Sequence, residues 1–207
     1  MTSLQKNEQI IYVVDDDAGM RKSLRLRLET AGFHVQECPS AENFLSGFDR
    51  QQTGCIVLDL RMEHMSGIEL LEKLSEMCAT IPVIFLTGHG EVSSAVRAMR
   101  MGAFDFLEKP CDPDYLVRRV RKAAGNDLAA AEKRAELDRI RKSINQLTAT
   151  ERVILDYAMR GYTATEIAEE LHRSPRTIEN HRNHLLHKMQ AKNLSELVRF
   201  AVLAEIN

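Results

Sequence analysis

The stretch CIVLDLRM, residues 55–62, places the ionisable Asp59 directly after an apolar run. A short apolar run bounded by polar residues is typical of a buried strand. Because burying a carboxylate without a partner is costly, the position of Asp59 needs an explanation in structure or in chemistry.

Outward from this stretch, short apolar runs alternate with helical patterns between Ile10 and about Gly125. The five apolar runs are IIYVV, FHVQEC, CIVLD, PVIFL and AFDFL. The helical patterns begin after Asp17, at about Ser40, and after Gly67, Glu91 and Asp112. Five such repeats predict an α/β domain with a five-stranded parallel sheet and helices on both faces.

Polar side chains stand at the ends of four of these strands. Two of them, Asp15 and Asp16, end the first strand. Asp59 ends the third strand, Thr87 ends the fourth, and Lys109 follows the fifth. Because ligands of such sheets bind outside the carboxyl ends of the strands, we expect these side chains to meet at one edge. Crowded carboxylates demand a hard cation, and oxygen ligands favour Mg²⁺.

Asp59 is the candidate phosphoacceptor at this edge. A carboxylate can act as a nucleophile toward a phosphoryl group, while a metal ion neutralises charge on that group. Thr87 can then hydrogen-bond one phosphoryl oxygen, and Lys109 can pair with another. The alternative is that Asp59 caps the next turn and Lys109 is a solvated charge. The combination of five matching positions favours the phosphoacceptor site.

Four motifs carry a family resemblance: VVDDD, VLDLRMEHMSG, FLTGHG and FLEKP. Through them, about residues 8–124 resemble the receiver domain of two-component response regulators, which has a flavodoxin-like, doubly wound fold. The resemblance implies that Asp59 takes a phosphoryl group from a phosphohistidine of a sensor kinase. It also implies a magnesium site in which Asp16 and Asp59 bind directly, Asp15 assists through water, and the Arg61 carbonyl contributes a backbone oxygen.

The resemblance also implies how phosphorylation is transmitted. Thr87 and Lys109 are expected to move toward the added negative charge and to shift the fourth loop and its neighbouring helix. Phe106 matches the aromatic switch position of the family and is expected to turn inward when Thr87 moves. The alternative is that Phe106 is a fixed core residue. A cis peptide bond between Lys109 and Pro110 is also implied.

Two residues depart from the family's pattern. Glu63 stands where the family often has proline, and an extra carboxylate there can weaken anion entry or tune magnesium binding. Cys111 stands where phenylalanine is common, and the loss of that ring can loosen the packing of the last helix. Neither departure touches the five groups that carry the chemistry.

Residues 126–147 are rich in alanine and charged residues and contain no proline. This composition predicts a helical linker that continues the fifth helix or follows a break at Gly125. Four apolar positions form a seam of about two heptads, which favours an apolar edge resting on a neighbouring domain over a coiled coil. These positions are Leu137, Ile140, Ile144 and Leu147. The predicted organisation is a receiver domain over residues 1–125, this linker, and a DNA-binding domain over residues 148–207.

From Thr148 onward the pattern is all helical, and four helices are predicted. Their starts are marked by a cap residue followed three positions later by glutamate, or by a serine before a first-turn proline. These signals are Thr148 with Glu151, Thr163 with Glu166, Asn193 with Glu196, and Ser174 before Pro175. The segment GYTATEIAEELHRSPRTIENHRNHLLHKMQ matches a helix-turn-helix.

The longer helix of this segment has two different faces. The side expected to face the core carries Ile178, His181, Leu185 and Met189. The other side carries donors and acceptors suited to base edges and phosphates. These residues are Arg176, Glu179, Asn180, Asn183 and His187. A zinc site at His181, His184 and His187 is disfavoured, because these side chains fan across the helix without a thiolate or carboxylate to complete the shell.

The alternative to DNA binding is that the polar side is the solvated face of an ordinary bundle. Residues 148–207 contain eight Lys or Arg and eight Asp or Glu, so the local charge is balanced. This neutrality argues that two copies must combine their contacts to bind DNA tightly.

Three motifs, LTATERVIL, TATEIAEEL and SPRTIENHRNHLLHKM, resemble the LuxR-type output domain over residues 147–206. The whole chain is therefore similar to the NarL/FixJ class of response regulators. The resemblance implies groove contacts from Glu179, Asn180 and Asn183. It implies phosphate contacts from Thr177, Arg182 and Lys188.

Composition sets the remaining limits. The formal net charge of −2 and the pI near 6.4 exclude a globally basic protein that coats nucleic acid. The four widely spaced cysteines, Cys38, Cys55, Cys78 and Cys111, favour packing in a reducing compartment over redox sensing. No stretch is long enough to span a bilayer, and the N-terminus lacks the apolar core of a signal peptide. A cytoplasmic protein with no membrane partner is expected.

The sequence therefore predicts a phosphorylation-dependent transcription regulator that catalyses only its own phosphorylation and dephosphorylation. Expected partners are a cognate sensor histidine kinase, promoter DNA and RNA polymerase, with a homodimer forming on activation. One alternative is a phosphotransferase or phosphatase acting on outside substrates, although Arg61 stands where such enzymes often carry a second catalytic aspartate. Another alternative is a regulator gated by a small ligand, with a vestigial phosphoacceptor pocket.

Overall fold

The computed structural model describes residues 9–88 and 92–205. The chain divides into two compact units between Ala131 and Glu132, which we call unit 1 and unit 2. Two features used in the sequence analysis lie outside the described residues. They are the N-terminal segment 1–8, from which the lack of a signal peptide was predicted, and the last two residues of the FLTGHG motif.

Unit 1 is an α/β fold in which strands and helices alternate. The strands are β1 (Ile10–Val14), β2 (His34–Cys38), β3 (Gly54–Leu58), β4 (Val83–Thr87) and β5 (Asp105–Glu108). The helices are α1 (Ala18–Thr30), α2 (Ala41–Gly47), α3 (Gly67–Glu76), α4 (Val92–Arg100) and α5 (Pro113–Asn145). The strands pair in parallel in the order β2-β1-β3-β4-β5. The predicted fold class is confirmed.

Apolar side chains are buried on both faces of this sheet, which explains why its inner strands β1, β3 and β4 read as nearly continuous apolar runs. Successive residues of β3 point to opposite faces. Ile56 and Leu58 belong to the core shared with α2 and α3, whereas Cys55 and Val57 belong to the core shared with α1 and α5. The sheet is therefore a rigid platform whose carboxyl edge positions the residues that follow each strand.

Helix α5 runs unbroken through Gly125, so the predicted linker continues the fifth helix. Nothing lies within 4 Å of a Cβ placed on Gly125, and the glycine meets no packing requirement there. Ile140, Ile144 and Leu147 pack into the core of unit 2, which agrees with the apolar-edge interpretation at three of the four predicted positions. The fourth, Leu137, is partly buried. The division between the units falls inside the predicted linker.

Over residues 132–205, which the structure describes, unit 2 contains the end of α5 and four further helices. These are α6 (Ala149–Met159), α7 (Ala164–Glu170), α8 (Pro175–Met189) and α9 (Leu194–Glu205). The four predicted helices are confirmed. No helix in the stretches that the structure describes combines the length and the apolar character needed to cross a membrane.

The cap residues predicted from the sequence begin three of these helices. Thr148 and Thr163 form reciprocal capping boxes with the glutamates three residues later. Ser174 accepts a hydrogen bond from the N–H of Thr177 at the start of α8. These caps satisfy backbone N–H groups that have no partner within the helix.

The start of α9 differs slightly from the prediction. Asn193 Oδ1 accepts the N–H of Glu196 at 2.9 Å, which is the expected half of the box. The Glu196 carboxylate accepts the backbone N–H of Lys192 at 2.7 Å, one residue before the cap.

Candidate phosphoacceptor site and nucleic-acid interface

The strand register places Asp15 beside Asp59. Val14 lies opposite Leu58 in the parallel β1–β3 pair, so the residues that follow leave the sheet at the same edge. The N–H of Asp59 donates to the Val14 carbonyl at 2.8 Å, which fixes the start of the loop after β3. Asp15 is buried and Asp59 is partly buried. The expected meeting of these two carboxylates at the carboxyl edge is observed.

Lys109 lies between the two carboxylates. Its Nζ donates to Asp15 Oδ2 at 2.8 Å and to Asp59 Oδ1 at 2.8 Å. Its backbone N–H donates to the carbonyl of Thr87 at 2.6 Å. The Lys109–Pro110 peptide bond is cis, as the family resemblance implies. One lysine thus contacts residues that follow or end three different strands.

Burial and charge act in opposite directions on the pKa values of this site. Burial raises the pKa of Asp59 above its usual value, and the hydrogen bond from Lys109 offsets only part of that rise. Burial alone lowers the pKa of Lys109, but hydrogen bonds to Asp15 and Asp59 outweigh it and raise the pKa. The ammonium is therefore charged at neutral pH, and it favours the ionised form of Asp59.

Asp16 is exposed, and its carboxylate accepts a hydrogen bond from the loop after β3. The backbone N–H of Glu63 donates to Asp16 Oδ2 at 2.9 Å. The N–H of Arg61 donates to Asp59 Oδ2, also at 2.9 Å. The loop thus directs one backbone amide to each of the two residues expected to bind magnesium directly.

Thr87 and Phe106 occupy the places expected of the switch residues. Thr87 ends β4 and is buried. Phe106 lies on the neighbouring β5, is partly buried, and has its ring centroid 5.9 Å from that of Phe85. The ring packs against the core of unit 1 in this structure. Its movement on phosphorylation stays a prediction.

The fit of a metal ion can be judged from the donors present. Within residues 9–88 and 92–205, no three His, Cys, Asp or Glu side chains come together closely enough to hold a metal ion. Mg²⁺, however, is usually bound through one or two carboxylates and keeps several waters, so it needs no such cluster. The hard oxygens of Asp15, Asp16 and Asp59 at one edge therefore fit this ion.

Two contributors to the site were missed from the sequence. Arg21 Nη1 donates to the carbonyl of Asp15 at 2.7 Å. The N–H of Asp17 donates to Asp15 Oδ1 at 2.9 Å, while Asp17 Oδ1 accepts the N–H of Met20 and caps α1. The three consecutive aspartates thus have three different roles. The cap preference of aspartate before a helix is a signal for Asp17, whereas nothing in the sequence marks Arg21.

Helix α8 has the two faces that its periodicity predicts. Ile178, Leu185 and Met189 are fully buried in the core of unit 2, and His181 is partly buried. The five residues predicted on the polar side of this helix are all exposed. These are Arg176, Glu179, Asn180, Asn183 and His187. The polar face is therefore accessible, and the major groove of DNA is wide enough to admit such a helix.

The three residues expected to contact phosphates have partners inside unit 2. The Thr177 hydroxyl lies 2.8 Å from the hydroxyl of Ser174. Arg182 donates to Glu179 at 3.2 Å, one turn away on the same helix. Lys188 Nζ donates to Glu151 Oε2 at 2.7 Å.

The pair of Glu151 and Lys188 joins the start of α6 to the end of α8. Glu151 is only 4% exposed, and the same carboxylate oxygen accepts the N–H of Thr148 at 2.8 Å and its hydroxyl at 2.9 Å. Burial alone raises the pKa of Glu151, but the hydrogen bonds from Lys188 and Thr148 outweigh it and bring the pKa to about 2. The sequence marked Glu151 as a capping residue but not as a partner of Lys188.

Comparison with known proteins agrees with both units. Residues 11–121 match the response regulator receiver domain, and residues 145–201 match the bacterial regulatory proteins of the luxR family. These two matches define a regulator that joins a receiver domain to a LuxR-type DNA-binding domain.

Relatives share this arrangement over nearly their whole length. The chain is 42% identical over 194 residues to the transcriptional regulatory protein FixJ of Bradyrhizobium diazoefficiens, covering 94% of this chain and 95% of that protein. The structure resembles that of the response regulator StyR with a TM-score of 0.85 and 35% identity, covering 94% and 98% of the two chains. Full-length FixJ from B. japonicum matches with a TM-score of 0.58 and 40% identity, covering 98% and 100%. The chain belongs to the FixJ/NarL class of response regulators.

Proposed function

We propose that phosphorylation of Asp59 switches DNA binding by the helix-turn-helix of unit 2. The observation that carries this proposal is the contact of Lys109 Nζ with both Asp15 and Asp59, each at 2.8 Å. An ammonium held by two carboxylates places a positive charge beside a nucleophilic oxygen. The same charge can pair with an oxygen of an incoming phosphoryl group.

In the proposed reaction, a side-chain oxygen of Asp59 attacks the phosphorus of a phosphohistidine on a sensor histidine kinase. An O–P bond forms while the P–N bond breaks, and the electron pair of that bond returns to the imidazole nitrogen, which then takes up a proton. Lys109 favours the ionised form of Asp59 before transfer. After transfer, it exchanges its bond with Asp59 Oδ1 for one with a phosphoryl oxygen.

The proposed magnesium site uses residues of the same edge. Asp16 and Asp59 bind the ion directly, Asp15 assists through water, and the carbonyl of Arg61 adds a backbone oxygen. When bound, Mg²⁺ neutralises negative charge on the transferring phosphoryl group. Support comes from the oxygen chemistry of these donors and from their position at one edge of the sheet.

The proposed switch begins at Thr87. Its hydroxyl donates to a phosphoryl oxygen, and the accompanying movement of Thr87 reaches α4 and leaves room for Phe106 to turn inward. The hydrogen bond between the Lys109 N–H and the Thr87 carbonyl supports this coupling, because it ties the ends of β4 and β5 together.

We propose that activation pairs two copies through α4. Val92, Val96 and Met99 are 76%, 45% and 47% exposed, although all three are apolar. Their spacing places them on one side of the helix. Burying such a row against a second copy removes apolar surface from water, and it supplies the two DNA-binding units that the balanced charge of residues 148–207 requires.

In the proposed complex, α8 lies in the major groove of promoter DNA. Arg176, Glu179, Asn180 and Asn183 face base edges or nearby backbone, and Thr177, Arg182 and Lys188 face phosphates. Lys188 is 39% exposed, so its ammonium can meet a phosphate while it stays near Glu151. Residues 126–147 act as the linker between residues 1–125 and 148–207, and a contact with RNA polymerase completes the output.

The test is to find the phosphoryl group by mass. The full chain is incubated with Mg²⁺ and a small acyl phosphate, and intact-mass measurement is followed by peptide mapping. One adduct on Asp59 is expected in the wild type and in the control Asp49→Asn, an exposed aspartate elsewhere in unit 1. No adduct is expected in Asp59→Asn. An adduct that persists in Asp59→Asn, or none in the wild type, would contradict the proposal.

A further inference from the structure

The exposed carboxylate of Asp16 is held by a residue far away in the chain. The N–H of Glu63, 47 residues later, donates to Asp16 Oδ2 at 2.9 Å. An exposed aspartate has several rotamers of similar energy, and a hydrogen bond to the main chain selects among them. The bond therefore orders a side chain that burial does not order.

The amide of residue 63 lies on a short, closed loop between β3 and α3. The N–H of Gly67 donates to the carbonyl of Leu60 at 3.0 Å, which joins the two ends of the loop. A Cβ on Gly67 would lie 2.3 Å from the Asp59 carbonyl oxygen, so the returning chain passes in contact with the phosphoacceptor residue. Ser66 caps α3 and fixes the loop's exit. The direction of this amide is therefore set by the fold of the main chain.

The loop donates one backbone N–H to each of the two proposed magnesium ligands. Arg61 N–H occupies Oδ2 of Asp59, and Glu63 N–H occupies Oδ2 of Asp16. Hydrogen bonds to one oxygen of a ligating carboxylate fix the orientation of the other, and they tune metal affinity from outside the coordination shell.

We propose that the backbone N–H of Glu63 is a positioning group for the magnesium site: it holds Asp16 Oδ2 so that Asp16 Oδ1 binds the ion. This inference rests on the proposed function, because it concerns the same ion. The main-chain proton carries the effect, and the Glu63 carboxylate does not. Residue 63 is also a position where this chain departs from its family's pattern, and proline there has no N–H to donate.

The test measures Mg²⁺ binding to the full chain by calorimetric titration with magnesium chloride, without a phosphodonor. Glu63→Pro removes the donor and is expected to weaken Mg²⁺ binding about tenfold. Glu63→Gln and Glu63→Ala keep the N–H and remove the charge. They are expected to stay within about twofold of the wild type, because an isolated exposed charge contributes little.

A second variant guards against a general effect of proline on the loop. Incorporating the α-hydroxy analogue of glutamate at position 63 turns the amide into an ester, which removes the proton and keeps the side chain. The same tenfold weakening is expected. Wild-type affinity in the ester variant would overturn the inference. So would a loss in Glu63→Gln and Glu63→Ala equal to that in Glu63→Pro, since the side chain would then be responsible.

The outcome separates this inference from the proposed function. If Mg²⁺ affinity follows the expected order but no adduct forms on Asp59, the positioning role stands and phosphorylation fails. If the adduct forms and all variants bind Mg²⁺ equally, only the positioning role fails. A wild-type chain that binds no Mg²⁺ in the titration would overturn the positioning role directly.

Discussion

Replacing Glu151 with alanine tests how far unit 2 depends on the pair between α6 and α8. Glu166 offers a matched reference, because it makes the same capping box one helix later. The threonine N–H to glutamate distances are 2.8 and 2.7 Å, and the hydroxyl to glutamate distances are 2.9 and 2.8 Å. Glu166 is exposed, whereas Glu151 is buried and also accepts a hydrogen bond from Lys188. Both substitutions therefore remove the glutamate half of a capping box, and only Glu151→Ala also removes the hydrogen bond with Lys188.

The shared loss is the glutamate half of the capping box, which is the same in both variants and cancels in their difference. Glu151→Ala also removes a hydrogen bond between charged groups, worth roughly 1.5–3 kcal/mol. Lys188 is 39% exposed, so water compensates part of its loss and the lower end of that range applies. We expect Glu151→Ala to cost about 1.5 kcal/mol more than Glu166→Ala in the free energy of opening.

The assay is hydrogen exchange of the full chain, followed by mass spectrometry of peptides from α6 and α8. Hydrogen exchange reports the free energy of local opening separately for each peptide. A difference of about 1.5 kcal/mol corresponds to roughly tenfold faster exchange in Glu151→Ala than in Glu166→Ala. Equal loss of protection in the two variants would show that neither burial nor Lys188 adds to the cap, and the reasoning would be refuted.

Three further predictions follow from single residues. The pKa of Glu151 is lowered from 4.5 to about 2, so the stability that its ionised form contributes is complete above about pH 4.5 and is lost as the pH falls toward 2. The difference in hydrogen-exchange protection between wild type and Glu151→Gln should therefore be larger at about pH 6 than at about pH 3. In urea unfolding, Gly67→Ala should destabilise unit 1 by about 1–3 kcal/mol, because its Cβ would meet the Asp59 carbonyl oxygen. Gly125→Ala lies in an open helical position and should stabilise unit 1 by about 0.5–1 kcal/mol. Destabilisation by both substitutions would contradict this prediction. Iodoacetamide should modify the exposed Cys78 before the buried Cys55, whose pKa is raised by burial, and peptide mapping that shows the reverse order would be incompatible with the structure.

The strands and helices of unit 1 could be predicted because parallel sheets leave a simple mark in sequence. The inner strands β1, β3 and β4 are buried on both faces and read as short apolar runs, whereas the edge strands β2 and β5 are only partly buried. The strands are joined by helices. The approach of Asp15, Asp59 and Lys109 followed from topology alone, since the carboxyl ends of parallel strands share one edge. Even the faces of α8 followed from helical period, with Ile178 and Leu185 inside.

The contacts that escaped prediction are those made by the main chain or by distant charges. The N–H of Glu63 that reaches Asp16 is a group that every residue except proline carries, so residue type gives no signal. The family resemblance implies a phosphate contact for Lys188, but its pairing with Glu151 depends on how α6 packs against α8. Composition alone does not decide whether α5 continues through Gly125 or breaks there, because glycine weakens a helix without necessarily ending it.

In the proposed switch, a phosphoryl group on Asp59 changes what α8 binds. The most direct test captures genomic DNA fragments of the source organism on the full chain, with and without a small acyl phosphate and Mg²⁺, and compares wild type with Asp59→Asn. We predict that the donor strengthens wild-type binding to a limited set of fragments and leaves Asp59→Asn at its basal level. Identical fragments and affinities with and without donor, or an equal response in Asp59→Asn, would contradict the claim.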